Sequence, residues 1–547
     1  MGQKRSDKSW RTVATRALRV ALLLWSGPAF AAEGTGPSPG SGESAIPLSA
    51  ALSFETKALP LTRQDAAYLA LLNSRDLRIE RLNPKITDTD IGKERGVFDP
   101  LFYSAAGTGH STNASGNVLA GSSTPEVDIV NWSSGLRAKL VSGAVASLDF
   151  TNSRVSANSQ FLTLNPQYSS NLVLTLTQPL LKDFGPQINR ARVKLADNNA
   201  AISRYQLQGK VASVLADVES TYWELVLGLK DQDIRRRSLD LTQRLAERTR
   251  DLVREGFLAE TSTLQADAAV AQRESDLEQA NNTLRDTLSR LQDILNLDPK
   301  ADVQIIPVDQ PTLDGPKIDP DRAVKDALAR RPELPQAKLD LKNRNLNLDI
   351  AKNQVLPRLD LFFSYGFAGL AGDAKVSTNP FLQSVLVQSQ TPPSSLVGGY
   401  GTSLDNLFSG NFPSWTVGLN LSVPLGNVTA QSQVRKATLE LERAILTVKD
   451  VERKIALEVE RAARQIQTLK KAIDAARTAR EHTSRRLEVT KEQFDLGLGP
   501  MSATLEAERD LVTAEREEWR TIVEYNKVLV QFDKATGATV EKYRVEF

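Results

Sequence analysis

The 547-residue sequence contains no cysteine. That excludes disulfides, thiolate metal sites, a cysteine nucleophile and a cysteine-linked lipid anchor. Histidine is nearly absent: His110 and His482 lie too far apart to make a zinc or haem spacing. There is no phosphate-binding loop and no Gly-x-Ser-x-Gly elbow. Carboxylates on the helical stretches alternate with cations, as in Glu458, Glu460 and Arg461, the mark of a solvated face. No catalytic residue, cofactor or metal is expected, and the chain does not read as an enzyme. The only methionines are Met1 and Met501, which argues against a methionine-lined copper or silver path. No apolar run reaches the roughly 18 residues of a membrane helix, so any passage through a bilayer must use closed β-structure.

Charge of one sign is also scarce. The formal total is +2, but Lys4, Arg5, Lys8, Arg11, Arg16 and Arg19 against Asp7 give the first 31 residues +5, leaving −3 on the rest. No basic footprint for nucleic acid remains. The basic start, the short apolar run Ala17–Trp25, the Gly27-Pro28 break and Ala29-Phe30-Ala31 read as a cleaved signal peptide. Residues 32–60, rich in Gly, Ser and Pro, read as a disordered linker.

What is present is helical rod. From Ala430 to Leu496 there is neither proline nor glycine. Val434, Ala437, Leu441, Ala444, Val448, Val451, Ile455, Val459, Ala462, Ile466, Leu469, Ile473 and Ala476 step by three and four. This is a coiled-coil seam with one stutter, at Val451–Val459. A change of supercoil is expected there, near the level where shorter helices meet end to end. At 1.5 Å per residue the rod is roughly 100 Å long. A second rod runs from about Asn189 to Glu255. Shifted by 241 it repeats the first: Val193 on Val434, Val214 on Ile455, Val218 on Val459, Gly256 on Gly497, Thr263 on Thr504 and Leu264 on Leu505. Each rod ends in a glycine turn and a returning helix. The chain therefore reads as a signal peptide (1–31), a linker (32–60), a first repeat (61–299), a linker (300–318), a second repeat (319–537) and a tail (538–547).

Each repeat also carries alternating segments. In the first they are Leu101–Ala106, Leu136–Leu140, Ala144–Thr151 and Asn171–Thr177, separated by Ser/Thr/Asn/Gly-rich stretches at 107–133 and 152–170. In the second they are Leu359–Phe367 and Trp415–Val423, with a loop over 369–412. Trp132, Trp415, Phe362 and Tyr365 are candidates for a membrane girdle. So few strands cannot close a barrel within one chain, and an open edge in lipid leaves unpaired backbone groups. Several chains must pool their strands, and the rods equally need neighbours to bury their seams.

With Val97-Phe98-Asp99-Pro100 before the first strand, Leu176-Thr177-Gln178-Pro179-Leu180-Leu181 leading to Asn189-Arg190-Ala191, and the two tips, the order of elements resembles the TolC-type outer-membrane efflux proteins over nearly the whole mature chain. The resemblance implies an α+β membrane protein: a trimeric transmembrane β-barrel continued by a long periplasmic α-helical barrel, with internal two-fold duplication. It implies the outer-membrane channel of a tripartite efflux or type I secretion system, a homotrimer in outer-membrane lipid reaching into the periplasm. Its partners are a periplasmic adaptor and an inner-membrane pump, docked at Gly256, Phe257, Leu258 and Ala259 and at Gly497, Leu498, Gly499 and Pro500. A non-conducting periplasm-spanning coiled-coil scaffold is the alternative. Acidic residues after the second tip line the periplasmic constriction in this family; here those positions hold Ala503 and Glu506, so one acidic ring is missing. Glu506, with Glu508, is the candidate constriction, against an ordinary solvated helix face. The family's usual pattern is four strands per chain, twelve in the trimer. The reading favours twelve, with the extra first-repeat hairpin over the external mouth; a third membrane hairpin, giving eighteen, is the alternative.

Overall fold

The computed structural model describes residues 58–545, apart from 117–121, 123, 160, 298–303, 314, 316–317 and 376–391. The expected signal peptide and residues 32–57 of the expected linker lie outside the described residues. A short strand, β1 (Ala58–Leu61), leads into α1 (Arg63–Asn73), α2 (Arg75–Glu80) and α3 (Leu82–Arg95). Thr62 and Asp65 close a capping box at the start of α1. One helix is expected from Thr62 to Arg95. Ser74 breaks it by leaving helical geometry (ψ 123°) and capping α2 with its own hydroxyl.

The sheet follows: β2 (Leu101–Thr112), β3 (Glu126–Lys139), β4 (Val145–Ala157) and β5 (Leu164–Pro179). Then come α4 (Pro186–Asn189), the first rod α5 (Ala191–Arg254), the returning α6 (Thr261–Ile294) and β6 (Gln304–Pro307), which pairs with β1. The second half repeats the plan as α7 (Pro320–Arg330), α8 (Glu333–Val355), β7 (Arg358–Ala374), α9 (Tyr400–Phe408), β8 (Pro413–Ser422), the second rod α10 (Val428–Asp495), the returning α11 (Met501–Ala535) and α12 (Ala538–Lys542).

The strand order is β2-β3-β4-β5-β7-β8, every neighbour antiparallel. The favoured count of four strands is therefore corrected to six. The β3–β4 hairpin is not folded over a mouth; it pairs along its length with β2 on one side and β5 on the other. The strands also run well beyond the alternating segments, into stretches read as loops. Residues such as Ser153, Ser156, Ser169 and Ser170 put polar groups on both faces, so the chain is extended there without a period-two signal. The supposed loop over 369–412 likewise holds the end of β7 and the helix α9. Ser403 of α9 donates to Ser170 and to the Gly369 carbonyl, and Leu407 is buried beside Gly369.

The main apolar core gathers where both repeats meet: Leu71 and Leu77, Val211–Leu225 of α5, Leu291, Ile305, Val523 and Val530. Tyr222 is its pivot, its hydroxyl donating to the Leu61 carbonyl and accepting from the Asp309 amide, each at 3.0 Å. A second core joins Ile455 and Val459 of α10 to Ala323, Ala327 and Leu334. Between α7 and α8, Arg331 bonds Glu333 and Glu458. The stutter thus lies at the level where α7 and α8 meet end to end, while α10 runs unbroken through it.

Candidate duct wall and docking tips

Registers across the sheet separate two faces. One row reads Phe102, Leu136, Leu148, Leu174, Tyr365, Trp415, all six on one face. Every one of them is exposed in the isolated chain. The next row, on the opposite face, reads Tyr103, Gly135, Asp149, Val173, Gly366, Ser414. Tyr103 lies over Gly135 and donates to Asp149. Trp132, Trp415 and Tyr365 lie on the apolar face. Phe362 is corrected: it faces the other way, over Gly418, where a Cβ would stand 2.5 Å from its ring.

Strands meet helices at a packed junction. Gly143, at φ +96°, turns β3 into β4 at the helix end of the sheet. Ser142 donates to Gln178 and accepts at its carbonyl from Gly185 N (2.9 Å), so the turn is tied to the β5–α4 connection. Asp183, also left-handed, is held by Asn353 and Gln354 of α8. Neither contact was visible beforehand; the signal available was the polar cluster Gln178, Asn189, Asn353 and Gln354 at the ends of apolar segments.

The two tips are built alike. Gly256 and Gly497 adopt φ +83° and +73°, and the following amides return to Leu252 and Gln493 carbonyls at 2.8 Å. These are glycine C-caps of the kind that reverses a helix. Phe257 and Leu498 are 75% and 78% exposed, with Leu496 and Leu264 nearly as open. Leu258 instead turns inward, against a small core of Leu245, Ala246, Ala266, Phe494 and Met501 that holds the two tips side by side. Thr249 donates to the buried Met501 sulfur at 3.0 Å.

The two acidic candidates part company. Glu506 is exposed and 3.7 Å from Arg486, which also pairs with Asp510 at 2.9 Å. Glu508 is buried at 1% exposure, bound by Arg273 of α6 at 2.6 Å and by the Ser238 hydroxyl. It ties the second hairpin to the first and cannot line an open passage. From Arg273 the ion pairs continue through Asp276, Arg235 and Asp231 to Arg516. The sequence did carry a signal for Glu508: it falls on the buried stripe Met501, Thr504, Glu508 at spacings of three and four. Among the described residues no group of three His, Asp or Glu is placed to hold a metal ion, and no helix is long and apolar enough to cross a membrane.

Residues 323–538 match the family model described as outer membrane efflux protein. That stretch, most of the second repeat, is similar to the outer-membrane efflux proteins. The fold agrees over a longer span. The outer-membrane channel OprN superposes with a TM-score of 0.63 at 17% identity, covering 87% of this chain and 89% of its own. The CmeC outer membrane channel of Campylobacter jejuni gives 0.59 at 17%, covering 87% and 86%. The open state of the MtrE outer membrane channel of Neisseria gonorrhoeae gives 0.57 at 18%, covering 87% and 88%. No curated protein matches the sequence. The fold of the chain, a sheet continued by long paired helices, is the fold of these outer-membrane channels.

Proposed function

We propose that this protein is the passive outer-membrane duct of a tripartite efflux or type I secretion system. Three copies close the barrel and the helical wall, and a periplasmic adaptor and inner-membrane pump engage the tips at Gly256–Ala259 and Gly497–Pro500. The observation that carries the reading is the two-faced sheet: exposed apolar rows on one side, a mixed face with Asn131, Ser133, Asp149, Thr151 and Thr175 on the other, and β2 and β8 left as edges. An edge in hydrocarbon costs several kcal/mol per unpaired group, so the β8 of one copy must find the β2 of the next. Their directions fit, since β2 and β8 run oppositely within the sheet. The solvent-facing Phe257 and Leu498 give the tips apolar knobs for a partner.

Glu506 is the proposed constriction residue, a single carboxylate per chain whose charge attracts cations at the periplasmic entrance. Energy comes from the pump. The test is single-channel recording of the purified protein in planar bilayers. Discrete cation-preferring openings are expected, enlarged when Glu506→Ala loosens the entrance. A protein that inserts yet never conducts, with or without that change, is a scaffold instead.

A further inference from the structure

We infer that Glu126–Ala157 is a third membrane hairpin, so that the barrel has eighteen strands and its extra wall widens the outer-membrane pore. The inference rests on the duct reading but concerns one hairpin of it. Four observations converge. Leu136 and Leu148 fill the middle of the exposed apolar row, level with Phe102 on one side and Leu174 on the other. Trp132 and Phe150 extend that face with an edge-to-face contact at 5.4 Å. On the opposite face the same two strands present Asn131, Ser133, Thr151 and Ser153, level with Asn171 and Ser169 of β5. And the tight turn at Ser142-Gly143 lies at the helix end, locked to Gln178 and Gly185, where short periplasmic turns of such barrels belong.

A hairpin over the external mouth would have water on both faces and no reason to keep an exposed leucine row in register with β5. Lipid on one side and a water-filled pore on the other require that arrangement. Six strands from each of three chains make eighteen, against twelve in the family's usual plan. Barrel diameter grows roughly linearly with strand number, so the membrane section becomes about half as wide again at equal tilt. The added lining includes the hydroxyls and amide of Asn131, Ser133, Thr151 and Ser153 together with the charges of Arg137 and Asp149.

The natural absence of cysteine supplies the experiment, because each introduced thiol is the only one. Four single variants are made: Leu148→Cys and Thr151→Cys in β4, with Leu174→Cys and Thr175→Cys in β5 as controls. Outer-membrane vesicles are treated with a membrane-impermeant maleimide. Thr151→Cys is expected to label about tenfold faster than Leu148→Cys, matching the contrast between the β5 positions, because lumen and lipid faces alternate. Equal labelling within β4, fast or slow, while β5 keeps its contrast, overturns the hairpin and leaves the duct standing. Loss of contrast in β5 as well overturns the duct. A cross-section of the assembled barrel by electron microscopy counts the strands, and twelve refutes the widening.

Discussion

Asp267 and Glu508 stand at the same place in the two repeats, 241 residues apart, each about two turns into the helix that returns from its tip. Asp267 is half exposed and meets Arg250 of its own hairpin at 2.6 Å. Glu508 is buried and meets Arg273 of the other hairpin. The duplication supplied one scaffold twice; the way the hairpins lean together then made one carboxylate a surface ornament and the other a fastening. Charged residues at matched positions are thus unequal because of what covers them.

The largest effect follows from that inequality. Glu508→Ala leaves Arg273 half-stripped of its partners, and Arg273→Ala strands a buried carboxylate. Breaking a buried pair from one side costs about 3–5 kcal/mol. Asp267→Ala should cost about 0–1 kcal/mol, as exposed pairs do. Thermal unfolding of the assembled protein, with hydrogen exchange along α11, measures both. Similar losses at the two positions would dissolve the contrast.

Glycines sharpen it next. At Gly143 a Cβ would lie 2.3 Å from the Asp183 carbonyl oxygen, in a left-handed turn. Gly143→Val should cost about 2 kcal/mol or more, seen as a lower yield of folded protein in the outer membrane. Gly256 and Gly497 are equally left-handed but face open space. Changing either to Ala should cost about 1–2 kcal/mol, the backbone penalty alone, and the two should agree. A clear difference between the tips would mean that they are not the same turn.

The rods, their period and the glycine tips were legible because a seam of Val, Ile, Leu and Ala has one reading wherever it is buried. Strands were legible only where apolar and polar residues alternate, as in Leu172, Leu174 and Leu176. Farther along, Asn152, Ser156 and Ser170 put polar groups on the leucine face itself, and the signal vanished although the strands continue. Partners across the fold, such as Ser142 with Gln178 or Glu508 with Arg273, lie 36 and 235 residues apart, and no local pattern pairs them.

The core offers a pH test with no counterpart in the second repeat, where Ala463 occupies the place of Tyr222. Burial, reinforced by the charge of Asp309, pushes the Tyr222 phenol up to about 12. The neutral form is the one the fold favours. Its stabilisation is therefore complete below the unfolded value of about 10 and is lost as the pH rises from there to about 12. Tyr222→Phe should remove that alkaline slope and cost about 1 kcal/mol at neutral pH through the two lost hydrogen bonds. An unchanged alkaline melting curve would assign the slope to other groups.

Glu506 carries the smallest expected change in stability and the clearest one in conduction. Its carboxylate is exposed, its bond to Arg486 is long, and Arg486 keeps Asp510 when Glu506 is neutralised. Glu506→Gln should leave the melting temperature within the equivalent of about 0.5 kcal/mol of the parent. If three such carboxylates ring the periplasmic entrance, the same change lowers cation preference in reversal-potential measurements, most at low ionic strength where a charge acts over a longer distance. Arg486→Gln should act oppositely, unmasking the carboxylate. Equal selectivity in all three proteins would return Glu506 to the status of Asp267, a solvated charge on a helix, and move the entrance filter elsewhere on the tips.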